Sequence, residues 1–61
     1  MSTYSRYELK EAERAIASLL GKCERSMEKL QAGTSQYTLM ENRIAALRIA
    51  LELIRERVEE K

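Results

Sequence analysis

Histidine, aspartate, proline, phenylalanine and tryptophan are all missing from this chain of 61 residues, and cysteine occurs once. Each absence excludes something. A lone cysteine cannot build a disulfide scaffold. Without histidine there is no Cys/His zinc site and no His-based catalytic triad. Two glycines and no Asp or Pro leave little turn chemistry, which excludes an all-β chain of many short hairpins. All of the acidic residues are glutamate, and 11 basic against 10 acidic residues give a net charge of +1. A hydrophobic fraction of 44% with both charge signs interspersed is too rich for simple disorder. The length allows one domain. Chains of this size bury only about 60% of the surface they expose when unfolded, so a lone core is marginal.

Targeting signals are equally scarce. No apolar stretch follows Met1 to Arg6, so no secretory signal is expected there. Ser2 excludes myristoylation, and Val58 to Lys61 carry no prenylation signal. The longest apolar-rich stretch, Ile44 to Ile54, contains Arg48 and Glu52 and falls well short of the ~20 residues of a bilayer span. A cytoplasmic protein without a membrane partner is expected.

What the chain does contain is helical periodicity. Ser5 and Glu8 have capping-box spacing, and Tyr4 and Leu9 stand where a hydrophobic staple closes. From there Leu9, Ala12, Ile16, Leu20, Cys23, Met27 and Leu30 recur in steps of three and four, one face of a helix. Gly33 is the expected stop, because a left-handed backbone at a helix C-terminus costs glycine nothing. The first helix is therefore predicted over about 6–32, roughly 40 Å long at 1.5 Å per residue. Gly21 lies inside it; an early end there would make three short helices, but the unbroken periodicity on both sides argues for a glycine that bends the helix or, with Ala17, admits a neighbouring backbone.

The second stripe reads Tyr37, Met40, Ile44, Leu47, Leu51, Ile54 and Val58. Thr38 with Glu41 is one possible start, and Thr34 or Ser35 an earlier one. Tyr37 already lies on the apolar face, which favours the earlier start. A turn over 33–35 and a second helix over about 35–59 follow, fraying where Glu59 and Glu60 oppose the helix dipole. The two stripes are mirror images about the Gly33–Thr34 junction. Leu30 pairs with Tyr37, Met27 with Met40, Cys23 with Ile44, Leu20 with Leu47, Ile16 with Leu51 and Leu9 with Val58. Only Ile54 is mismatched: its counterpart is Glu13, with Ala12 beside it. The fold class is all-α, an antiparallel two-helix hairpin.

Apolar residues remain after this matching. Leu19, Leu39, Ile49 and Leu53, with Ala15, Ala45, Ala46 and Ala50, lie off the main stripes. Leu19 with Ala46, and Ala12 with Leu53, mirror about a point one residue earlier and define a second seam. A helix apolar nearly all round is buried on more than one side. Dimerisation into a four-helix bundle is expected, with Leu19, Leu39, Ala46, Ile49, Ala50 and Leu53 as the oligomer interface. A monomeric hairpin with exposed aliphatics and a complex with a heterologous protein are the alternatives.

Chemistry finds little support. Cys23 falls within the apolar stripe with no base to activate it. Glu24 and Glu28 are four apart on one face, but carboxylate metal sites in bundles add a histidine that is absent here. Neither Gly21-Lys22 nor Gly33-Thr34 has phosphate-loop spacing. No catalytic residue, metal ligand or cofactor is expected. Lys22, Arg25 and Lys29 form a basic stripe, loosely extended by Arg14 and Lys10, but Glu11, Glu24 and Glu28 are interleaved with it. Arg48–Glu52 and Arg55–Glu59 have the i,i+4 spacing of helix-surface ion pairs. Tyr4 and Tyr7 are expected to shield the open end of the bundle, and Tyr37 the end at the turn.

Gly33-Thr34-Ser35-Gln36-Tyr37-Thr38-Leu39-Met40 and the following Ala45-Ala46-Leu47-Arg48-Ile49-Ala50 resemble small uncharacterised helical proteins encoded by Gram-positive bacteria and their mobile elements. The resemblance implies a bacterial or phage-related cytoplasmic origin. It implies no activity and carries over no functional residue. Two functions are compatible with this reading. One is a self-associating, non-enzymatic protein–protein interaction module or small adaptor. The other is a nucleic-acid-associated regulator of a mobile element that uses the Lys22/Arg25/Lys29 stripe.

Overall fold

The computed structural model describes residues 3–59, which form two helices and, among those residues, no strand. Helix α1 spans Arg6–Met27 and α2 spans Ser35–Glu59. They fold back on each other into a body of 43 × 20 × 16 Å. The terminal motifs at Met1-Ser2 and Glu60-Lys61, including the effect of Glu60 on the helix dipole, lie outside the described residues.

The capping box forms at the start of α1. Glu8 N–H donates to Ser5 Oγ at 3.0 Å, and Ser5 N–H donates to Glu8 Oε1 at 2.8 Å. Two of the otherwise unpaired N–H groups of the first turn are thereby satisfied. Past Ser5 the helix runs unbroken through Gly21. A β-carbon added at Gly21 meets only Arg25 Nη1, at 3.7 Å, so this glycine neither ends α1 nor admits a close backbone.

The end of α1 differs from the expected boundary near Ala32. Regular α-helix stops at Met27. The chain then tightens through i→i+3 bonds, in which Glu28, Lys29 and Leu30 N–H donate to the carbonyls of Arg25, Ser26 and Met27 at 3.1–3.3 Å. Such tightening uses carbonyls that a helix end leaves unpaired. It keeps Leu30 directed inward, which is why the apolar period continues past the end of the α-helix. Gly33 follows with a φ of +92°, a left-handed conformation that an L side chain adopts only at a cost.

Thr34 starts α2. Its Oγ1 accepts from Tyr37 N–H at 3.2 Å and donates to the Gln31 carbonyl at 2.8 Å, joining turn and helix through one hydroxyl. The Thr34 carbonyl accepts from Thr38 N–H at 3.2 Å. Thr38 is thus inside the helix rather than capping it.

The core is the double stripe. Cys23, Ile44, Leu51 and Val58 are buried. Leu9, Ala12, Ile16, Leu20, Met27 and Leu30 of the first stripe, and Tyr37, Met40, Leu47 and Ile54 of the second, are half-buried. Tyr37 sits at the turn end as expected. Tyr4 and Tyr7 do not shield the other end, being 63% and 73% exposed. Tyr7 precedes the core residue Leu9 by two positions, a rotation of about 200° that turns it outward.

Candidate interaction surface

Successive helix residues are rotated by about 100°, so the residue after a core position and the residue before it point to opposite flat sides of the hairpin. Glu13, Glu24, Arg48 and Arg55 follow the core residues Ala12, Cys23, Leu47 and Ile54. Leu19, Leu39, Ala46, Ala50 and Leu53 precede Leu20, Met40, Leu47, Leu51 and Ile54. Two sides of different character result.

The first side is polar and tied together by ion pairs. Arg55 Nε donates to Glu13 Oε2 at 2.8 Å, and Arg48 Nη2 to Glu24 Oε2 at 2.7 Å. These arginines reach across the hairpin, whereas their spacing suggested Glu52 and Glu59 one turn further along the same helix. The Arg55 pair also resolves the mismatched layer at Ile54. Glu13 is half-buried there, with an arginine to hold its carboxylate. Near the turn a shallow groove opens on Met27, Tyr37 and Ile44, rimmed by Glu24, Glu28 and Glu41.

The second side is apolar and open. On it Leu39 and Leu53 are each 59% exposed and Leu19 is 45% exposed. Ile49, also 59% exposed, stands two positions from both Leu47 and Leu51 and so lies next to this side, on the face of α2 turned away from α1. Ala46 is also exposed, and Ala50 is half-buried. Leu19 comes from α1 and the other five residues from α2. Isolated exposed aliphatics are ordinary on a protein surface, so what sets this part of the molecule apart is their concentration on α2.

The basic residues Lys22, Arg25 and Lys29 are exposed and line one shallow groove, but Glu28 lines it with them. Cys23 is buried as a free thiol. Among the described residues no group of three or more His, Cys, Asp or Glu is placed to hold a metal ion. None of the described helices is long and apolar enough to cross a membrane.

Two features of the surface escape a reading by composition alone. The cross-helix pairs Glu13–Arg55 and Glu24–Arg48 are signalled only by their near-mirror positions about the turn. Asn42 and Glu56 continue the spacing of Leu39, Ala46, Ile49 and Leu53, a regularity hidden by their polarity. Comparison of the chain with protein-family models, curated proteins and solved structures gives no match.

Proposed function

We propose that this protein is a non-enzymatic interaction module that dimerises through the apolar side formed by Leu19, Leu39, Ala46, Ile49, Ala50 and Leu53, giving a four-helix bundle. The supporting observation is the exposure of Leu19, Leu39, Ile49 and Leu53, which run from the apolar side of the hairpin round to the outer face of α2. Surface area points the same way. The hairpin exposes 5130 Å² for a mass of 7.1 kDa, about 1,000 Å² more than a compact folded monomer of that mass exposes. A standard protein interface removes about 800 Å² per partner. Shape adds a second argument. The radius of gyration is 14.0 Å, against about 10.5 Å for a compact chain of this length and about 13.7 Å for one twice as long. A second hairpin laid alongside fills out the short axes without lengthening the body.

In this reading α2 serves assembly, and the charged remainder of the surface is available to a protein partner. The test is Ile49→Lys combined with Leu53→Lys, followed by sedimentation. The expected result is loss of the dimer, since two lysines per chain cannot be desolvated in an apolar seam without large cost. An unchanged dimer in the double variant overturns the interface.

A further inference from the structure

On α2 the apolar side of the hairpin reads the same in both directions. Leu39 and Leu53 stand seven residues either side of Ala46, and all three are exposed. Leu19 on α1 is level with Ala46, because the two mirror each other about the turn. The pattern of leucine, alanine, leucine spans about 21 Å, and α1 adds its own leucine at the midpoint.

The α1 half of this side carries opposite charges at its two ends. Glu11 precedes the core residue Ala12 near the open end, whereas Lys22 and Lys29 precede Cys23 and Leu30 toward the turn. All three charged residues are exposed, and Leu19 lies between the acidic and the basic end. A surface of this kind is complementary to a reversed copy of itself.

We infer that a second copy lies on this side with its turn at the opposite end, α1 against α1 and α2 against α2. The twofold axis crosses the hairpin at the level of Leu19 and Ala46. This inference rests on the dimerisation proposed above and adds its orientation. On α2, Leu39 meets Leu53 of the second copy, and the symmetry makes the contact twice. Ala46 meets Ala46. Arg43 meets Ala50, a small side chain past which the arginine stem reaches water. On α1, Leu19 meets Leu19. Glu11 comes opposite Ser26 of the second copy, with Lys22 and Lys29 one turn to either side of that serine.

The other way to stack the two sides has its axis along the helices, with both turns at one end and α1 on α2. Lys22 is level with Arg43 on the hairpin, so that stacking opposes the two basic residues twice. It also sets Leu39 on Ser26 and Leu53 beside Glu11. Like charges and leucines on polar side chains both disfavour it.

Cysteine cross-linking separates the two axes. Leu19→Cys and Ala46→Cys are made as separate proteins and oxidised in native buffer, with the parent, whose Cys23 is buried, as the control. Each variant is expected to form a disulfide-linked dimer with itself, because both positions lie at the axis, within the reach of a disulfide. With both turns at one end, neither variant links alone and the two link only when mixed. That result overturns the orientation and leaves self-association standing. Linkage of one variant but not the other has the same meaning, as does a dimer in which nothing links. Ala46→Cys changes the side-chain volume least, so it decides between the axes even where Leu19→Cys weakens the dimer.

Leu39→Cys and Leu53→Cys give a second readout. Each alone lies about 21 Å from its own counterpart across the axis and is expected to stay unlinked. Mixed, the two are expected to link. Linkage of Leu39→Cys to itself overturns the orientation. A parent that sediments as a monomer at every concentration overturns both the orientation and the dimer.

Discussion

Arg55 Nε donates to Glu13 Oε2 at 2.8 Å, joining residues 42 positions apart in the chain. This contact occupies the one layer in which the two apolar stripes fail to match. Glu13 is the more sheltered partner, with its side chain 25% exposed against 56% for Arg55. A double-mutant cycle with Glu13→Gln and Arg55→Gln, read by denaturant unfolding, is expected to give a coupling of about 0.5–1 kcal/mol, the upper part of the range for surface pairs. The coupling should shrink as salt is added.

The two glycines should respond in opposite directions to alanine. Gly21→Ala meets only the end of the Arg25 side chain, at 3.7 Å, within a regular helix. Stabilisation of about 1 kcal/mol is expected from helix propensity. Gly33→Ala has open space around it but a φ of +92°, and a loss of about 1 kcal/mol is expected. Thermal unfolding of the two variants is enough to check the pair, since 1 kcal/mol shifts the midpoint by roughly 4–8 °C in a domain of this size.

The fold was largely legible before the structure because its determinants are one-dimensional. Steps of three and four, read from Leu9 to Leu30 and from Tyr37 to Val58, locate the core residues without knowledge of the third dimension. Periodicity could not locate the end of α1, because one tight turn after Met27 keeps Leu30 pointing inward just as an α-turn would. Arg48 and Arg55 escaped local reasoning for a different cause. Two carboxylates compete for each guanidinium, and the choice depends on the spacing between helices, which neither helix encodes alone. The candidate surface was legible as leftover apolar residues. Its division into a polar side and an apolar side required knowing which residues neighbour the buried stripe.

Removal of the Thr34 hydroxyl should matter more than removal of the one at Thr38. Thr34 Oγ1 both accepts from Tyr37 N–H and donates to the Gln31 carbonyl. Thr34→Ala is expected to cost about 1–2 kcal/mol, as loss of an N-cap does. Thr38 lies inside α2, and Thr38→Ala should be neutral or slightly stabilising. Equal losses for the two variants in denaturant unfolding would place the helix start at Thr38 and contradict the structure.

Cys23 reports on the core. It is 6% exposed and the chain's single thiol. Alkylation by iodoacetamide should be slow in the folded protein and rise to the rate of an ordinary free thiol in denaturant. Leu51→Ala opens a cavity in the same stripe and is expected to destabilise by about 2–4 kcal/mol. In a domain this small that loss is a large part of the total stability, and Cys23 should become readily alkylated without denaturant.

In the proposed dimer the hairpin is half of a larger core. Light scattering over a concentration series, with circular dichroism on the same samples, reads mass and helicity together. A helical species of about 14 kDa, twice the 7.1 kDa chain, is the expected result, dissociating only on dilution. A helical species that stays at the monomer mass across the whole series would overturn the dimer, because the exposed Leu39, Ile49 and Leu53 would then be stable in water without a second copy.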